Sequence, residues 1–88
     1  MYYVYVLRSM KDGNFYTGYT SDLKKRLEEH TEGLTPSTAH RRPLELVYYE
    51  ASRNIKDVMH REKYLKTTYG KRYIRNRIKI DMLQESQE

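Results

Sequence analysis

The stretch "YYVYVLRSMKDGNFYTGYT" (residues 2–20) decides how this chain folds. Its opening "YYVYVL" (2–7) is β-branched and aromatic, so it reads as a strand near 2–8 with both faces partly covered. "KDGN" supplies turn chemistry, because Asp-Gly tolerates positive φ. "FYTGYT" (15–20) is then the return strand, with Gly18 weakening it unless another group approaches closely there. In such a hairpin, residues whose numbers sum to an odd value lie on one face, so Tyr5 and Tyr16 share a face. A six-residue loop (8–13) would set them directly opposite each other. A two-residue Asp-Gly turn would keep the face but offset them along the strands.

Working outward, Ser21 is a suitable N-cap for a helix near 21–31, "DLKKRLEEH", with Leu23 and Leu27 as its narrow apolar stripe. Arg26 and His30 stand four apart and so share a helical face, with His30 at the rim of the stripe. "TEGLTPSTAHRRP" (31–43) reads as a loop from its Gly, Pro, Ser and Thr. "LELVYYEA" (44–51) is a third strand. Asn54 caps a longer helix over 55–69, with Gly70 at a left-handed C-terminal position. A final helix near 71–80 places Ile74 and Ile78 one turn apart. The reading is an α+β fold in the order β-β-α-β-α-α, a three-stranded, largely antiparallel sheet flanked by about three helices. Residues 1–82 form one domain, and 83–88 a frayed tail.

Eighty-eight residues bury only about 60% of the surface that the unfolded chain exposes, so the core is small. Seventeen Lys and Arg against twelve Asp and Glu favour a polyanionic partner such as nucleic acid. Having no cysteine excludes disulfide scaffolds, thiolate metal sites and Cys nucleophiles, and fits a cytoplasmic protein. No apolar run is long enough for a signal core or a membrane span, so no membrane is expected. Tyrosine is the oddity, with ten Tyr against one Phe and no Trp.

Glu62 is the unexpected residue on the 55–69 helix. At about 100° per residue it falls among Ile55, Val58, Met59, Leu65 and Tyr69. A carboxylate in an apolar stripe is costly unless it is paired or holds a cation. Two readings stay open: a core-edge acid bridged to an arginine or to Lys66, or a metal ligand.

"YVY" (3–5), "YTG" (16–18), "KKRLEEH" (24–30) and "REKYLK" (61–66), in that order, resemble the motifs of the GIY-YIG nuclease superfamily. "STAHRRPLELVYYE" (37–50) strengthens the likeness to its small single-domain bacterial members. The match runs from residue 2 to about 78. It departs in lacking the opening glycine of the first motif and in having threonine for the central isoleucine of the second. The resemblance implies roles: Tyr5 activates the attacking water, Tyr16 supports it by hydrogen bonding, Arg26 binds the scissile phosphate and His30 assists proton transfer. Glu62 is implied as the sole metal-binding carboxylate. Many relatives carry an asparagine on the last helix; Asn76 is the candidate here, though its wheel position is solvent-facing.

The implied function is metal-dependent endonuclease hydrolysis of DNA, including structured or damaged DNA, in repair or recombination. Two-metal nucleases need several converging carboxylates, and Asp12, Asp22, Asp57 and Asp81 sit on separate elements. A single carboxylate can hold one Mg²⁺ (or Mn²⁺) that takes waters and phosphate oxygens as its other ligands. Arg41, Arg42, Lys71, Arg72, Arg75 and Arg77 are the candidate phosphate contacts. With no appended DNA-binding domain, a targeting protein is an expected partner. The competing readings are a non-catalytic nucleic-acid-binding module on the same fold and a protein-interaction domain with a Tyr-rich sheet.

Overall fold

A computed structural model describes residues 1–86. Strands β1 (Tyr2–Ser9) and β2 (Phe15–Thr20) form the hairpin, and β3 (Leu44–Ser52) pairs with the other side of β1. The sheet order is β2-β1-β3 with both pairings antiparallel. As the central strand, β1 buries Val4, Tyr5, Val6 and Leu7, each at most 2% exposed. Strand alternation divides these residues between the two faces.

One face carries Val4 and Val6, which cluster with Val58, Leu65 and Ile74. These come from helices α2 (Ile55–Leu65) and α3 (Thr68–Arg77), and Ile78 packs against the same cluster. Full burial of each such side chain contributes about 1.5–3 kcal/mol. The other face carries Tyr5 and Leu7, covered by helix α1 (Leu23–Thr31) and the loop after it, which contains a 3₁₀ turn at Ala39–Arg41. A last helix, α4, spans Lys79–Ser86. The segment 83–88 is therefore helical through Ser86, and residues 87–88 lie outside those described.

The hairpin register falls between the two loop geometries expected. Leu7 faces Tyr16, and Tyr5 faces Gly18. Ser9 N–H donates to the Asn14 carbonyl (3.0 Å) and Gly13 N–H to the Ser9 carbonyl (2.8 Å), with Gly13 at φ 76°. The connection is thus residues 10–13. Tyr5 and Tyr16 keep one face, offset by one step of the ladder.

Three local expectations are corrected. Asp22, not Ser21, caps α1, its carboxylate accepting from Lys25 N–H at 3.1 Å. The segment 55–69 is not one helix: α2 ends at Leu65, and Thr67 caps α3 by accepting from Gly70 N–H at 3.1 Å. A capping threonine can begin a new helix where hydrophobic periodicity alone runs on. Gly70 is accordingly inside α3, not in a left-handed end position. A Cβ there would meet the Tyr64 carbonyl oxygen and, at 2.5 Å, the Leu65 Cα. Its small size lets α3 start against the end of α2. The final helix expected near 71–80 is instead α3 followed by α4, changing over at Ile78. Asn54 caps α2 as expected, accepting from Lys56 N–H at 2.8 Å.

Candidate active site

The hydroxyl of Tyr5 is the meeting point. Its odd position on β1 turns the ring toward α1, where Arg26 and His30 lie one helical turn apart and both reach it. Tyr5 Oη lies 2.8 Å from His30 Nε2, and Arg26 Nε donates to it at 3.3 Å. The ring lies over Gly18, where a Cβ would stand 2.5 Å from Oη and 2.7 Å from Cζ. This is the close approach that explains a glycine within β2. Tyr16, one ladder step away, meets His30 edge-on at 5.3 Å between ring centroids, and Tyr5 does so at 5.5 Å. The structure therefore brings Tyr5, Tyr16, Arg26 and His30 together. His30 is 1% exposed, an interior residue rather than one at the rim.

Burial governs the charge states here. Desolvation, followed by the Arg26 charge, lowers the His30 pKa below its ordinary 6.5, with Glu29 opposing. The imidazole is neutral at pH 7, with one ring nitrogen as donor and the other as acceptor. Desolvation also raises the Tyr5 pKa, while the hydrogen bond and charge of Arg26 pull it back. Arg26 is held more firmly protonated, first by Tyr5 and then by Glu29, whose carboxylate is 3.5 Å from Nη1.

Glu62 comes from a different element. It lies on α2, which packs on the sheet face opposite His30, and its carboxylate pairs with Lys66 Nζ at 3.0 Å. The side chain is 13% exposed. The buried line of α2 is Val58 and Leu65, and Glu62 is turned about 50° from it at ~100° per residue. It shares that flank with Ile55 and Met59, which are 40% and 39% exposed, whereas Tyr69 at 71% lies outside the core altogether. A groove of about 630 Å³ joins the two layers, lined among others by Tyr19, Thr20, Lys25, Arg26, Glu29 and Ile55. Glu62 follows Ile55 by seven residues on the same stripe, about 10 Å along the helix. Among the described residues no three His, Cys, Asp or Glu side chains converge as a metal cage. A lone carboxylate does suit Mg²⁺, which keeps several waters and takes phosphate oxygens, provided the cation displaces the Lys66 ammonium.

The candidate phosphate contacts divide into two sets. Arg41 is occupied within the chain, 2.9 Å from Asp12 and donating to the Asn14 carbonyl. Arg42 donates to the carbonyls of Ala39 (2.9 Å) and Thr31 (3.4 Å). Lys71, Arg72, Arg75 and Arg77 are exposed on α3, with Arg75 over the Phe15 ring and Arg72 over Tyr69. Asn76 is exposed beside them.

Two polar residues at the site were missed in reading the sequence. Thr38, fully buried, places Oγ1 2.7 Å from His30 Nδ1, and Ser37 donates from Oγ to Tyr16 Oη at 3.3 Å. Both belong to the "STAHRRP" run, which was legible as a likeness but carries no periodicity that would aim a side chain.

A family profile described as the GIY-YIG catalytic domain matches residues 1–78. The chain is 42% identical over 67 residues to a UPF0213 protein of Clostridium perfringens, covering 75% of this chain and 71% of that one. It is 43% identical over 67 residues to a UPF0213 protein of Bacillus pumilus, covering 75% and 67%. The solution NMR structure of the UPF0213 protein BH0048 from Bacillus halodurans resembles it with a TM-score of 0.52 at 35% identity. That likeness covers 84% of this chain and 82% of that one. No helix among the described residues is long and apolar enough to cross a membrane.

Proposed function

The chain belongs to the GIY-YIG catalytic domain family, a nuclease-type family, and from that premise we propose that it hydrolyses phosphodiester bonds in DNA as a metal-dependent endonuclease. The observation that carries this reading is the hydrogen-bonded line from Arg26 through Tyr5 to His30. A phenol flanked by a neutral imidazole and a guanidinium has somewhere to send its proton and a cation to stabilise the phenolate that remains. Tyrosine alone is a poor base at its ordinary pKa of ~10.

In this mechanism the attacking water gives its proton to Tyr5 Oη as the Tyr5 hydroxyl proton passes to His30 Nε2 in one concerted relay. The water oxygen bonds phosphorus, and the departing oxygen leaves and takes a proton from solvent. Tyr16, beside the same imidazole, orients that water. Arg26 turns its remaining donors to the scissile phosphate, where the transition state gathers negative charge. Glu62 is the residue that would hold a Mg²⁺ or Mn²⁺, and such an ion would supply further charge stabilisation for the phosphate. The exposed cations of α3 hold the flanking phosphates, and a targeting partner supplies sequence or structure preference.

The Glu62–Lys66 pair favours a second reading, a nucleic-acid-binding module in which that acid is structural. One substitution separates them. If Glu62 binds metal, Glu62→Gln abolishes cleavage across single-stranded, duplex, flap and junction DNA and removes Mg²⁺-induced chemical-shift changes, with the fold intact. If it is structural, the variant loses stability and cleavage is absent from the wild type as well. A Glu62→Gln protein that cuts at the wild-type rate sinks the metal role.

A further inference from the structure

The motif "STAHRRP" contributes nothing to the chemistry above, yet its first two residues touch both tyrosine systems. Thr38 reaches His30 Nδ1 at 2.7 Å and Ser37 reaches Tyr16 Oη at 3.3 Å. We propose that Thr38 is a positioning residue that fixes the tautomer of His30, accepting from Nδ1–H so that a bare Nε2 faces the Tyr5 hydroxyl. The reverse order, with Thr38 donating to Nδ1, would put a proton on Nε2 and leave Tyr5 no acceptor in the imidazole.

The loop is built to hold that oxygen still. The carbonyl of Thr35 accepts from Thr38 N–H (3.1 Å) and Ala39 N–H (3.0 Å), and Arg41 N–H donates back to the Thr38 carbonyl (2.9 Å). The buried Ser9 hydroxyl donates to the Arg41 carbonyl at 2.7 Å and accepts from the N–H groups of Lys11 and Asp12 at 3.1 Å each. The Arg41–Asp12 pair closes the same joint. Ser9 thus ties the loop to the hairpin whose register places Tyr5 and Tyr16, so acceptor and phenols share one anchor. A hydroxyl can donate or accept, so the direction comes from the far side of the ring. Arg26 Nε already donates to Tyr5 Oη, and the Tyr5 proton finds its acceptor in a bare Nε2, which leaves Nδ1–H for Thr38.

The direct test needs no turnover. In ¹⁵N-labelled, metal-free wild-type protein at pH 7, long-range ¹H–¹⁵N correlation should show His30 with a protonated Nδ1 and an unprotonated Nε2. The opposite pattern, or a doubly protonated ring, overturns the assignment. Thr38→Val keeps the side-chain shape and removes the acceptor. It should give a mixed tautomer pattern and lower kcat on flap DNA with Mg²⁺ by roughly 10²-fold, the lower range of general acid–base effects. KM should change little, and Thr38→Ser should restore both readouts. Thr38→Val with the wild-type tautomer and rate overturns the proposal. The kinetic arm rests on the nuclease reading. A wild-type protein that shows the expected imidazole but no cleavage would count against that reading alone.

Discussion

His30 is buried beside a guanidinium, so protonating it costs more in the folded chain than in the unfolded one. The groups facing it are Arg26 and Glu29 from its own helix, Tyr5 and Tyr16 from the sheet, and Thr38 from the loop. The folded pKa lies below the ordinary 6.5, so the unfolded state binds the proton first as pH falls. Above that ordinary value both states are neutral and the group contributes no slope. Below it, stability falls with a slope approaching about 1.4 kcal/mol per pH unit until the folded ring also titrates. Urea midpoints measured between pH 7 and 5 should show this decline, and His30→Gln should flatten it. An unchanged slope in the variant would mean that other groups carry the acid sensitivity.

At the scale of elements, the junction between α2 and α3 depends on Gly70. Helix propensity alone predicts that Gly70→Ala stabilises the protein by about 1 kcal/mol. The opposite should be found, because the new Cβ meets the backbone at Tyr64 and Leu65, which cannot swing aside as a side chain would. A loss of about 1–3 kcal/mol in denaturant unfolding is expected, as for overpacking elsewhere. A neutral or stabilising result would mean that α3 slides away at little cost. The same junction shows what the sequence made legible. Strand parity puts Tyr5 and Tyr16 on one face and the four-residue helical step pairs Arg26 with His30, but it is the likeness to the GIY-YIG motifs that picks these four out. The break at Thr67 could not, since apolar residues continue past it and only a cap interrupts them. Ser37 and Thr38 lie on a loop, where spacing says nothing about direction. For Glu62, spacing gives a place beside an apolar stripe but does not tell that its buried half is Val58 and Leu65, nor choose between a pairing with Lys66 and a cation.

Across the whole molecule, the sheet separates two chemistries. The phenol–imidazole group occupies the α1 face, and the exposed cations of α3 lie on the other, with the groove at Arg26 and Ile55 connecting the layers. A strand bound along both would release counterions from each, so log affinity should fall linearly with log salt. Arg72→Glu with Arg75→Glu should flatten that slope by about 2, near 0.9 per lost phosphate contact. An unchanged slope would confine the nucleic acid to the α1 side. The burial of Tyr5 has one more consequence. Ten tyrosines make this chain rich in phenols, yet they differ greatly in access: Tyr69 is 71% exposed, Tyr49 52% and Tyr5 1%. A phenol-directed labelling reagent will therefore mark the periphery and pass over Tyr5 in the resting protein. Label appearing at residue 5 then reports that the cover formed by Arg26, His30 and Gly18 has opened, a chemical indicator that needs no engineered residue.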